Sequence, residues 1–213
     1  MNVNEKFVVT ISREVGSGGR TVGRLLSEKL GVRYCDKALI DELTKEFNLS
    51  TQEIERIKSQ KSNWLLDMFA RVAPTLRPEA FIASSPLQYE SYYPSSDEIF
   101  FCESAILKEL AEDESCVIAG RSGFFVLKDH PNKLDVYIGA SREHRIQRIM
   151  GRQNLTEKEA GKIIDKVDKA REIYVEHYAG VSRYDLRNYD LVINMDAMTE
   201  EEAVELILKY INK

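Results

Sequence analysis

Residues 12–24, SREVGSGGRTVGR, hold the first residues whose types and spacing suit chemistry. They lie between an apolar run, FVVTIS, and an amphipathic run, TVGRLLSEKLG. Strand, glycine-rich turn, helix is an arrangement in which backbone N–H groups at a helix start converge on a phosphate. Gly16, Ser17, Gly18 and Gly19 meet that demand. The common pattern G-x-x-x-x-G-K-[ST] adds a lysine for the β- and γ-phosphates and a hydroxyl for magnesium. Aligned on Gly18, the lysine place is Gly19 and the hydroxyl place is Arg20, with Thr21 one residue later. The pattern is therefore not met. A glycine-rich turn that binds nothing has the same local signature.

Arginines form the second group. Arg142, Arg145, Arg148 and Arg152 recur at helical spacing along one broad face, with Ile146, Ile149 and Met150 mostly opposite. Guanidinium groups hold phosphate oxygens in bidentate fashion and offset charge that develops in phosphoryl transfer. A solvated charged face is the competing account. Arg171, in DKVDKAREIY, sits among Asp165 and Asp168 at spacings that also allow ordinary pairs within the helix. Arg121 follows Gly120 just past the run CVIAG, and Asp36 just past VRYC. Ligands in open α/β sheets bind beyond the carboxyl ends of strands, so both stand where a site belongs. Asp36 also suits the cap of a following helix. The three histidines show no catalytic pairing. Trp64 and the tyrosines Tyr89, Tyr92 and Tyr93 suit either stacking on a base or packing of their segment.

These residues need strands and helices to position them. Five β-rich runs are legible, at Phe7, Val32, Cys116, Asp135 and Asp190. Several are continuously apolar, the mark of strands buried on both faces in a parallel sheet. Helical patterns cover Thr21–Leu30, stopped by Gly31, then Asp36–Phe47, Ser50–Lys58, Asp97–Glu112 with Ser96 as cap, and Thr199 to Tyr210. Residues 141–181 read as helix, break at NLT, and long helix. Thr156 with Glu159, and Thr199 with Glu202, spell capping boxes. Residues 60–97 hold four of the five prolines and exceed an ordinary connection, which predicts a functional insertion or flap.

Composition narrows the class. The 213 residues are 43% hydrophobic and 31% charged, enough for one sizeable α/β domain. A net charge of −5 argues against bulk binding of nucleic acid. The three cysteines, Cys35, Cys102 and Cys116, are dispersed and lack zinc spacing. No apolar run reaches membrane-spanning length, and the expected location is the cytoplasm.

Taken in order, ISREVGSGGRTVGRLLSEKLG, YCDKALI, CVIAGRSGFFVL, ASREHRIQRI, DKAREIYVEHY and YDLVIN resemble the cytidylate kinase-like family of P-loop nucleoside monophosphate kinases. The resemblance covers most of the chain and is weakest over 60–97. It implies a three-layer α/β fold with a five-stranded parallel sheet. It also implies an ATP site at the loop, a monophosphate-binding insertion at about 36–97 and an arginine-bearing helical lid at about 141–181. Cytidylate kinases proper carry lysine at the place of Gly19 and Gly-Arg-Asp at the place of Gly120-Arg121-Ser122. They carry a small hydroxyl residue at the place of Lys37. The like subfamily resembles this chain in having Gly-Ser-Gly-Gly-Arg.

The expected function is ATP-dependent phosphoryl transfer to a small acceptor, a nucleoside monophosphate such as CMP or dCMP. Arg13, Gly16, Ser17, Gly18, Gly19, Arg20 and Thr21 are expected to hold ATP, with Thr21 on magnesium. Asp36, Lys37 and Arg121 are expected at the acceptor, and Arg20, Arg145, Arg148 and Arg171 at the group in transit. Arg20 is the nearest replacement for the missing lysine, with Arg13 and the lid arginines behind it. A lysine restored at position 19 is expected to tighten ATP. Homo-oligomers fit this reading. A non-catalytic nucleotide-binding protein and a kinase of a non-nucleotide metabolite are the competing readings.

Overall fold

The computed structural model describes residues 1–36 and 96–212. Lys37, the segment 60–97 up to residue 95, the expected helix Ser50–Lys58, most of Asp36–Phe47, Trp64, Tyr89, Tyr92 and Tyr93 lie outside the described residues.

Continuously apolar runs become central strands. Val8–Arg13 (β1), Arg33–Cys35 (β2), Cys116–Ala119 (β3), Lys133–Gly139 (β4) and Leu191–Asn194 (β5) form a parallel sheet in the order β2-β3-β1-β4-β5. β1 pairs on one side with β3, Val8 opposite Cys116, and on the other with β4, Val8 opposite Lys133. Alternation along β1 serves two cores. Val9 and Ile11 face a cluster built with helix α1 (Gly19–Leu30) and the last helix. Val8 faces a cluster built with α2 (Ser96–Asp113), including Phe100, Ile106 and Leu107. Each face of the sheet is thus sealed by helices, giving three layers.

The other helices follow their sequence signals. α4 (Arg142–Gln153) starts at Ser141, whose side chain accepts from His144 N–H. α5 (Glu157–Ala179) starts at the capping box of Thr156 and Glu159, and α6 (Glu200–Ile211) at that of Thr199 and Glu202. α1 ends on Gly31 in the left-handed conformation, φ 66°. Ser96 is the first residue of α2, so the cap position falls on residue 95, outside the described residues. Two short elements escape the sequence patterns: a four-residue helix α3 (Gly123–Val126) and a 3-10 turn at Leu186–Asn188. Neither is long enough to show a period.

α4 and α5 form a pair with their own small core of Ile149, Ala160 and Ile164. Val15, from the glycine-rich loop, packs against it. No helix among the described residues is long and apolar enough to cross a membrane.

Candidate active site

The loop after β1 takes its shape from glycines. Gly16 and Gly18 have φ of 84° and 88°, in the region that disfavours a β-carbon. Ser17 Oγ donates to the Glu14 carbonyl at 3.0 Å and closes the turn. Gly18 stands at the start of α1 with no side-chain cap, and the first turn carries no acid. Gly19 N–H reaches Ser17 Oγ at 3.4 Å and Thr21 N–H the Gly18 carbonyl at 2.8 Å, and no acid offsets the positive end of the helix dipole.

Asp168 of α5 ties the loop to the helical pair. It is 6% exposed. Its carboxylate accepts from Val15 N–H at 3.1 Å and from Arg145 Nη1 at 2.6 Å, and it faces Arg171 at 3.5 Å and Arg183 at 3.8 Å. Arg171 and Arg183 also donate to the Arg13 carbonyl, at 3.1 and 2.6 Å. The end of β1 is therefore gripped by two guanidinium groups from the far side of the site. Sequence reasoning missed Arg183, a lone arginine in a Gly-Val-Ser loop with no periodic signal. The intrahelical pair that the spacing allowed between Asp168 and Arg171 is present at 3.5 Å, but the bonds of Asp168 to Val15 and Arg145 had no signal in the sequence.

Two cavities open at the carboxyl ends of the strands. The first, about 470 Å³, is walled by the loop from Arg13 to Thr21, by Asp36, and by Arg148, Arg152 and Arg171. The second, about 380 Å³, is walled by Gly120, Arg121, Ser122, Tyr174 and Arg183, together with Arg13 and Arg171. Arg13 and Arg171 line both. A larger cavity, about 1090 Å³, lies at the opposite end of the sheet, beside Met1 and the 129–133 loop. There Lys6 bonds the Glu112 carbonyl and Lys133 pairs with Asp135.

The predicted arginines have distinct places. Arg142 faces outward and forms a two-pronged pair with Asp165. Arg145 is buried, not solvated, and bonds Asp168. Arg148 reaches the first cavity, pairs with Glu200 and donates to Thr21 Oγ1 at 3.4 Å. Arg20 extends along the rim, its side chain 69% exposed, and pairs with Asp36 at 2.5 Å. Arg121 reaches back to Glu103 of α2 at 2.9 Å, and Glu103 also accepts from Tyr174. Gly19 has no room for a side chain: a β-carbon there would lie 2.6 Å from Arg13 Cβ and 3.3 Å from Ile138 Cβ. That corrects the expectation that a lysine restored at position 19 would tighten ATP.

The local field favours anions. Burial, followed by the charge of Arg171, brings the Arg13 guanidinium down to about 10. Burial and Arg183 likewise lower Arg171. Burial raises Glu200, but the hydrogen bond and charge of Arg148 outweigh it and leave the carboxyl below its ordinary value. Among the described residues no cluster of three His, Cys, Asp or Glu side chains is placed to hold a metal.

Known proteins resemble this chain over most of its length. The sequence profile described as the cytidylate kinase-like family matches residues 8–197. A protein named cytidylate kinase from Sulfurisphaera tokodaii is 27% identical over 208 residues, 97% of this chain and 96% of its own. One of the same name from Archaeoglobus fulgidus is 28% identical over 206 residues, 94% and 92% of the two chains. The crystal structure of an uncharacterized protein from Eubacterium ventriosum has the same fold. Its TM-score is 0.71 at 24% identity, over 97% of this chain and 99% of that one. Since the profile runs from the first residue of β1 to beyond β5 and takes in both cavities, this chain belongs to the cytidylate kinase-like family.

Proposed function

We propose that the protein transfers the terminal phosphoryl group of ATP to a nucleoside monophosphate, CMP or dCMP. The observation that carries this reading is the pair of adjoining cavities with Arg13 and Arg171 as their common wall. A donor in the first and an acceptor in the second would meet at those two guanidinium groups. Phosphoryl transfer asks for positioning and charge neutralisation more than for covalent chemistry.

The second cavity favours a phosphate acceptor over an alcohol. Its described walls carry four arginines and Lys166, and no carboxylate or histidine. An alcohol needs a base to take its proton, whereas a monophosphate oxygen is already an anion. Ser122 Oγ and Arg183 Nη1 are buried there without a hydrogen-bond partner, which suits a polar ligand. The relatives named cytidylate kinase support cytosine as the base.

The first cavity suits magnesium·ATP. The uncapped start of α1 would receive donor phosphates on backbone N–H groups, and Arg148 and Arg152 would face them. Thr21, on the cavity wall, would be the protein ligand to the metal, with phosphate and water oxygens completing its shell. When bound, magnesium neutralises charge on the donor phosphates.

The test is ADP formation from ATP with CMP, dCMP, UMP, AMP, GMP or a sugar acid as acceptor. Turnover that requires CMP or dCMP and yields the diphosphate is expected. Turnover with the sugar acid alone overturns the acceptor class. ATP binding without acceptor-dependent turnover makes this a nucleotide-binding protein instead.

A further inference from the structure

We infer that Arg13 takes the part of the absent loop lysine, and that position 19 is glycine because the Arg13 side chain fills the space above it. This rests on the phosphoryl-transfer reading and names the residue that carries charge across the site.

The steric relation is reciprocal. A β-carbon at Gly19 would meet Arg13 Cβ at 2.6 Å and Cγ at 3.1 Å, so the arginine stem lies over the start of α1. Farther out, a β-carbon at Gly120 would fall on Arg13 Nη1 and lie 2.9 Å from Cζ. Gly120 itself has φ of 92°. The side chain thus runs from one glycine to another, from the loop to the turn after β3. That course crosses the boundary between the two cavities, and Arg13 lines both.

Its charge lacks a direct partner among the described residues. Arg20 pairs with Asp36, Arg145 with Asp168, Arg148 with Glu200, and Arg171 lies 3.5 Å from Asp168. The Arg13 guanidinium makes no hydrogen bond or ion pair among the described residues. Arg171 and Arg183 repel it, while Asp36, already paired with Arg20, compensates only in part. A half-buried guanidinium in that setting calls for an anion on its open side. In the reaction the acceptor oxygen–phosphorus bond forms as the bridging oxygen–phosphorus bond to ADP breaks. Arg13 keeps its protons throughout and donates hydrogen bonds to oxygens of the group in transit.

Three variants test the exchange. Arg13→Met keeps a stem over Gly19 and removes the charge. It is expected to fold with a near-normal melt and to slow CMP-dependent turnover about 100-fold or more. Gly19→Lys alone is expected to lose comparable activity through collision with Arg13. Arg13→Gly combined with Gly19→Lys returns cation and space to the ordinary places and is expected to exceed either single change about tenfold. Turnover of Arg13→Met within about twofold of wild type, or full activity in Gly19→Lys, overturns the inference. If wild type phosphorylates no monophosphate, the function reading has failed, and calorimetric titration with magnesium·ATP decides Arg13 alone. An affinity about tenfold weaker in Arg13→Met upholds its phosphate contact, and equal affinity overturns it.

Discussion

At the residue scale, one carboxylate stands over the glycine-rich loop beside the first cavity. Glu200, at the start of α6, pairs with Arg148 and lies 3.9 Å from Arg152. A β-carbon on Gly18 would come within 3.5 Å of both Glu200 Cγ and Arg148 Cζ, so the pair stands directly over the loop. Donor phosphates bound there would share Arg148 with this acid. Glu200→Gln is expected to tighten magnesium·ATP severalfold at low salt, with the gain fading as salt screens the site. Calorimetry at two ionic strengths checks this. Equal affinity at both would remove Arg148 from the phosphate site. A matched pair of glycines separates strain from chemistry. Gly31→Ala and Gly120→Ala both force a side chain into positive φ, costing about 1 kcal/mol in backbone strain. Nothing lies within 4 Å of the new methyl at Gly31, whereas at Gly120 it strikes the Arg13 guanidinium. Stability is expected to fall in both variants and turnover to collapse only in Gly120→Ala. A fully active Gly120→Ala would contradict the path drawn for Arg13.

At the element scale, the helical pair is stabilised by local caps and attached to the loop by buried charge. The Thr156–Glu159 box satisfies N–H groups at the start of α5, and hydrogen bonding holds the Glu159 carboxyl below its ordinary value. Thr156→Ala is expected to cost about 1 kcal/mol in urea denaturation. Amide exchange should quicken chiefly in the first turns of α5, which carry Ile163 and Ile164 into the small core. Exchange unchanged there would mean that packing, not the cap, fixes the helix start. Asp165→Ala, by contrast, breaks a pair whose members are 45% and 64% exposed. It is expected to leave the melting temperature nearly unchanged. The two carboxylates stand one helical turn apart, yet Asp165 faces water and Asp168 holds the loop.

At the scale of the whole molecule, one half-buried acid is expected to give stability a pH dependence. Glu109 of α2 has a buried Oε1 without a hydrogen-bond partner. Burial, then Asp113 and Glu112, push its carboxyl up to about 7. Between its ordinary range and that value, the folded protein holds a proton that the unfolded chain has released. This contribution therefore falls as pH rises to about 7 and is level above it. Glu109→Gln is expected to match wild type in Tm near about pH 5 and to exceed it near about pH 8. A variant with the same pH profile as wild type would show that Glu109 is solvated in the folded state. The cavity arginines lie beyond the carboxyl ends of the strands, whereas this helix end leads into the start of β3, so the substitution is expected to leave turnover unchanged.

The sequence by itself determined the longer elements among the described residues and the class of chemistry. Continuous apolar runs are strands, Gly31 ends α1, and two threonine–glutamate boxes begin α5 and α6, because each depends on neighbours within a few residues. The order of the loop, the GRS turn after β3 and the arginine helices also sufficed to identify the family. What the tertiary structure decided is which charges meet. Arg142 and Arg145 share a helical face in the sequence, but only packing against α5 turns Arg142 to Asp165 and buries Arg145 on Asp168. Spacing made Arg20 the nearest substitute for the lysine, and packing sends it along the rim to Asp36. Arg183 becomes legible only when a loop 170 residues away from Arg13 folds back onto its carbonyl. Local sequence fixes hydrogen bonds of short reach, whereas charge pairing across the sheet depends on loop closure and burial, which no window of neighbouring residues contains.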